Sequence, residues 1–142
     1  MNAKRAFQLI QREWKNLDFE ITKETDDGLS FQADIVAEKY FDDSILLRGT
    51  LYDSGTFHIF FVFDKLDKTF ANYDMINDLN DNTSFLHGYI SEKKGGDYLE
   101  LKSSTVNLSS DEDAEDFFSF VLRELLSDNT LEYLTPLADE TY

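Results

Sequence analysis

Residues 56–63 read TFHIFFVF, so a strand built from them is apolar on both faces. Phe57, Ile59, Phe61 and Phe63 alternate onto one side; His58, Phe60 and Val62 fall on the other. Such a strand is either central in a sheet or lies beneath a partner. Residues 45–52, ILLRGTLY, precede it, and Asp53–Ser54–Gly55 separates the two β-rich runs as a short turn. This hairpin is the strongest constraint in the chain.

The flanking segments supply the rest of a sheet and its cover. Phe7, Ile10, Trp14 and Leu17 recur at helical spacing, which predicts a helix over residues 2–17 with Asn2 capping its start. Phe19 and Ile21 alternate with polar residues. Asp26–Asp27–Gly28 reads as a turn, and Leu29, Phe31, Ala33 and Ile35 then give a half-buried strand. Asp42–Asp43–Ser44 breaks the chain before the hairpin. A second helix is expected over 69–80, with Phe70, Tyr73, Ile76 and Leu79 inward. Strands follow over 84–91 and 97–106, joined by Lys93–Lys94–Gly95–Gly96. Ser109 and Glu112 match a capping box for a last helix whose buried face is Phe117, Phe118, Val121, Leu122 and Leu125. Residues 129–142, with Leu131, Tyr133, Leu134 and Leu137, read as a tail that packs on the domain or docks on a partner. The expected order is α-β-β-β-β-α-β-β-α. It is an α+β fold, an antiparallel sheet with helices on one face. The 142 residues carry no internal repeat and no linker-like stretch, so 1–142 reads as one domain.

Charge and composition narrow the function. Acidic residues number 29 and basic ones 13, for a net charge of −16. Direct binding to a phosphate backbone is not expected of such a chain. There is no cysteine, which excludes disulfides, thiol catalysis and Cys-ligated metals. Apolar runs fall far short of the ~20 residues that span a bilayer. The first 20 residues are amphipathic and lack a continuous apolar signal core, so the expected compartment is the cytoplasm, without membrane contact.

The element order, together with Met75–Ile76–Asn77–Asp78–Leu79–Asn80 before a strand at 85–89, resembles the YbjN-like family and the related type III secretion chaperone fold. YbjN-like proteins carry a similar Asn-x-x-Asn stretch at the end of the middle helix. Basic residues often follow it there, whereas Asp81–Asn82–Thr83 follow here. The resemblance implies a non-enzymatic, protein-binding or regulatory role, often as a homodimer, with no catalytic residues and no cofactor.

Candidate chemistry in the residues themselves is sparse. His58 and His87 have no partner readable from spacing, so they are structural or solvent-facing unless the fold joins them with a carboxylate around a metal. Asp78, Asn80 and Asn82 imitate the first ligands of a calcium loop, but Thr83 and Tyr89 stand where Gly and Glu are required. No nucleotide-binding or hydrolase motif occurs, and the chain does not read as an enzyme.

Two surfaces remain as partner sites. One is apolar: Phe57, Phe61, Phe63 and Tyr89, set against simple burial within the monomer. The other is acidic. Residues 1–70 hold nine basic and thirteen acidic groups, residues 71–142 four and sixteen. Asp74, Asp78 and Asp81 share one face of the middle helix, and Asp111, Glu112, Asp113, Glu115 and Asp116 crowd the start of the last. A solvated face explains such residues, and so does a surface for a basic protein partner. The first functional reading is a client-binding module with acidic flanks. The alternative is an acidic inhibitor imitating nucleic acid, of the phage counter-defence kind, that occupies the basic groove of a nucleic-acid enzyme.

Overall fold

Helix α1 (Ala3–Glu13) leads into four antiparallel strands, β1 (Glu20–Thr25), β2 (Gly28–Ile35), β3 (Ile45–Tyr52) and β4 (Phe57–Lys65). Helix α2 (Phe70–Asn82), strands β5 (His87–Lys93) and β6 (Gly96–Thr105), and helices α3 (Asp111–Leu125) and α4 (Asp128–Asp139) complete the order. The computed structural model describes residues 1–37, 44–65, 70–83, 85–93 and 96–139. The breaks expected at Asp42–Asp43 and Lys94–Gly95 lie outside these residues, as do the side chains of Phe70 and Leu137.

One six-stranded sheet runs β1-β2-β3-β4-β6-β5, with every neighbouring pair antiparallel. The doubly apolar strand β4 therefore sits between β3 and β6, as its sequence requires. Its turn forms as expected: Gly55 adopts φ +97°, and its N–H bonds the Tyr52 carbonyl at 2.9 Å.

One face of the sheet is the core. Leu29, Phe31, Ala33 and Ile35 of β2, Ile45, Leu47 and Leu51 of β3, Phe57, Ile59, Phe61 and Phe63 of β4, and Leu99 and Leu101 of β6 are all buried there. Phe7 of α1, Phe118 of α3, Leu79 of α2 and Leu134 of α4 close over them. At the sheet's margin β1 is exposed along its whole length, and Ile21 is 41% accessible. A bulge between Ile21 and Lys23, plus the charged side chains, blunts that edge against pairing with another strand.

The helix ends depart from expectation in instructive ways. Asn2 caps α1, its Oδ1 accepting from the Arg5 N–H at 3.0 Å, but the helix stops at Glu13 and not at 17. Trp14 leaves helical geometry, and its indole N–H reaches Ser119 Oγ at 2.9 Å. The N-cap of α3 is Ser110, one residue later than the Ser109 box. Ser110 is extended, and its hydroxyl accepts from the Asp113 N–H at 3.1 Å. The expected tail is mostly helix α4, with Thr130, Leu131 and Leu134 buried in the domain. Its first turn is fixed by Ser127, whose Oγ accepts from the Thr130 N–H at 3.3 Å. Among the described residues no helix is long and apolar enough to cross a membrane.

Candidate functional site

Phe120 is out of phase with the buried stripe of α3. Phe118, Val121, Leu122 and Leu125 face the core, whereas Phe120 is 52% exposed. Phe85, in the connection between α2 and β5, lies against it edge-to-face, with ring centroids 4.5 Å apart and planes at 74°. Phe85 is itself 44% exposed. Its backbone N–H donates to Glu124 Oε1 at 3.2 Å, which fixes the connection on α3. Asp116 and Glu124 stand one helical turn before and after Phe120. The result is a pre-ordered aromatic pair between carboxylates, on a surface where water meets two phenyl rings.

The helices around this pair are strongly acidic. Helices α2, α3 and α4 together contain twelve Asp and Glu residues and a single basic one, Arg123. The eight acidic residues singled out from sequence nevertheless have different roles. Asp111 is committed to the start of α1: its Oδ1 accepts the Asn2 N–H at 2.8 Å, and its Oδ2 lies 3.7 Å from Arg5 Nε. Asp113 accepts from Ser109 Oγ at 2.8 Å. That bond, joined by bonds from Ser110, outweighs a slight desolvation and holds its carboxyl below the usual aspartate range. Asp111, Glu112 and Asp113 together occupy the positive end of the α3 dipole. Asp74, Asp78 and Asp81 are exposed on α2; Glu112 and Asp116 are exposed on α3. The two lines sit on separate helices, α2 packing on α4 and β5, α3 chiefly on α1 and to a lesser extent on α4.

Glu115 belongs to a polar network in place of a free surface. Its Oε1 accepts from Ser119 Oγ at 2.8 Å, and Ser119 in turn accepts from Trp14. Partial burial pushes its carboxyl up, and the nearby Asp116 and Glu13 add to this, against the opposing bond from Ser119. A raised carboxyl favours the folded state in acid. Its stabilising share is full below the ordinary glutamate pKa of about 4.3 and is lost as pH rises through the raised value. Glu115→Gln, which retains an oxygen for Ser119, is therefore expected to raise stability at pH 7 by roughly a few tenths of a kcal/mol, the scale of a screened surface interaction. The gain should vanish at pH 4. Urea midpoints read by the single tryptophan, Trp14, at the two pH values check this; an equal shift at both would remove the titration as its cause.

The apolar set assigned from sequence does not form a surface. Phe57 and Phe61 are wholly buried and Phe63 nearly so, because their face of β4 is the one the helices cover. Phe57 packs on Phe31, Phe117 and Phe118, at centroid distances of 6.2, 5.7 and 6.3 Å. Tyr89 lies on the opposite side of the sheet, where its hydroxyl donates to Glu100 Oε2 at 2.7 Å. Desolvation and this carboxylate drive the phenol's pKa upward. Tyr73, expected inward on α2, is 46% exposed, whereas Ile76 and Leu79 are buried and Met75 packs beside them.

His58 and His87 also occupy the sheet face away from the helices. His58 Nδ1 is 2.8 Å from Ser104 Oγ, and His87 stacks near Tyr89 with centroids 6.4 Å apart. No cluster of three or more potential metal ligands occurs among the described residues. Asp78, Asn80 and Asn82 are helical and form no ligand loop. Asn80 instead brackets the Gly88 backbone, accepting its N–H at 2.6 Å and donating to its carbonyl at 3.1 Å.

Comparison with protein families, curated proteins and solved structures finds no match to this chain.

Proposed function

We propose that the protein is a non-enzymatic binding module whose helix side receives a basic protein partner. The observation that carries this reading is the Phe85–Phe120 pair: two exposed rings, held in mutual contact, with carboxylates one turn to either side of Phe120. Aromatic side chains of this kind serve as interface anchors, and surrounding charge speeds encounter and excludes partners of the wrong sign. A basic apolar pocket is the complementary shape and charge. The resemblance of the sequence's expected element order to YbjN-like and secretion-chaperone-like proteins suits such a role, and the cytoplasm is the compartment we assign.

The test is affinity capture from nuclease-treated lysate by the wild-type chain and by Phe120→Ser, each washed at low and high salt. Truncating an anchor of this type costs about 2 kcal/mol or more, roughly thirty-fold in Kd. A client retained by wild type through high salt and lost by a folded Phe120→Ser variant is the expected result. Equal capture by both proteins would eliminate the aromatic pair as the site.

The twelve-to-one excess of carboxylates on α2, α3 and α4 favours a second reading, an acidic inhibitor that imitates nucleic acid. In that case the captured protein is a nucleic-acid enzyme lost at high salt and displaced by DNA or RNA. Neutralising Glu112 and Asp116 would weaken it more than Phe120→Ser does.

A further inference from the structure

The second face of the sheet carries its own message. All helices among the described residues lie on one side, so no described helix covers the outward positions of β2, β3, β4 and β6. A sheet that meets only water there normally alternates apolar inward and polar outward. This one places Leu46, Phe60 and Val62, all half-buried, at the centre of its outward face. The register arranges them in two rows. One row is Arg48–Phe60–Lys102–His87 and the next is Leu46–Val62–Glu100–Tyr89. Lys102 stands over the Phe60 ring, 5.5 Å from its centroid. Among the described residues neither Arg48 nor Lys102 has an ion-pair partner, in a chain with more than twice as many acids as bases.

We infer that this face is an isologous dimer interface, occupied by a second copy of the same chain. Charge decides which side of the molecule can meet itself. The helix side, with its twelve carboxylates, repels its own copy. The outward rows set Arg48 and Lys102 against the exposed Asp34 and against Glu100, which is only 6% exposed and accepts the Tyr89 hydroxyl. The rows also decide the orientation. A two-fold axis parallel to the strands over β4 would set Arg48 against Lys102 of the second copy. An axis running across the strands, between the two rows, avoids this. It lays Phe60 on Val62 of the second copy, Arg48 on Leu46, and Lys102 on the Glu100–Tyr89 pair. The two sheets then form a sandwich with an apolar centre, as aligned sheets do. Six strands about 4.8 Å apart, the central ones eight to ten residues long, present a footprint on the order of 700 Å². A stable interface uses about 800 Å² from each partner. The Phe85–Phe120 pair stays on the outside of such a dimer, available twice.

Light scattering after size exclusion, over about 10–100 μM chain, tests this. Wild type is expected at twice 16.5 kDa. Phe60→Glu and Val62→Lys are each expected at the monomer mass, with self-association weakened tenfold or more. Mixed together they should pair again, because the axis sets position 60 of one copy against position 62 of the other. Thermal melts by circular dichroism establish that each variant is folded. If either is not, Lys102→Glu, which opposes two carboxylates across the axis, takes its place and should be monomeric. Phe120→Ser should remain dimeric. A monomeric wild type, a dimer that survives the folded variants, or a mixture that fails to pair overturns the proposal, even if a different protein is found to bind the sheet.

Discussion

Phe31→Ala is expected to lower the stability of the domain by about 3–5 kcal/mol, the usual cost of emptying a large aromatic site in a core. Phe31 is 1% exposed, and its ring joins every layer of the fold. It lies 4.8 Å from Phe7 of α1, 5.8 Å from Phe19 ahead of β1, 6.2 Å from Phe57 of β4 and 6.1 Å from Phe118 of α3, between centroids. Alanine removes dispersion contacts with all four at once, and those rings belong to different elements that cannot all close on the void. Domains of this size are stable by only about 5–15 kcal/mol, so the loss is a large fraction of the whole. Urea unfolding followed by Trp14 fluorescence measures it directly. A midpoint shift worth less than about 1 kcal/mol would mean that the aromatic cluster collapses far more freely than close packing allows.

That cluster also explains how much of the fold was legible beforehand. Alternation in β2 and β4 identifies correctly which residues share a face, because a strand's period is two whatever surrounds it. It does not say which face the helices will cover. Phe57, Phe61 and Phe63 are therefore readable as a set, but their burial is decided by where α1 and α3 land. The opposite row, with Phe60 and Val62, looks subordinate in sequence and is the one that no described helix covers. In α3 the exposure of Phe120 had a signal: two residues beyond Phe118 is about 200° around the helix, nearly opposite the buried stripe. Its partner Phe85 had none, since a connection's path depends on the elements it joins. The carboxylates show the same limit. Local spacing places Asp111 and Asp113 in a dense acidic run, but their contacts with the start of α1 and with Ser109 turn them into structural ligands of the backbone and a neighbouring hydroxyl. Trp14 ends its helix early for a long-range reason as well, the hydroxyl of Ser119 waiting 105 positions away.

Gly49→Ala carries the second large effect, because β3 has a glycine where β2 has its central aromatic. Phe31 and Gly49 face each other in register across the two strands. A Cβ at Gly49 would meet the ring's ζ carbon at 2.3 Å and its ε carbons at 2.7 and 2.9 Å. The three nearest atoms all belong to that one ring, so the ring is the first thing that would have to move for alanine to fit. It cannot leave freely, since Phe7, Phe57 and Phe118 hold its other sides. Overpacking of this kind costs about 1–3 kcal/mol, and the absence of a relaxation path places Gly49→Ala at the upper end. The same geometry makes the two sites a coupled pair. In Phe31→Ala the space beside Gly49 is empty, and a methyl group there fills part of the void. Phe31→Ala with Gly49→Ala should therefore be more stable than the sum of the single losses implies, by more than about 1 kcal/mol. Additive losses would show that the cost at position 49 comes from the backbone of β3 and not from the ring. A positive coupling would identify the glycine as the seat of Phe31, placing in one cross-strand pair the choice that lets a six-stranded sheet hold an aromatic core this dense.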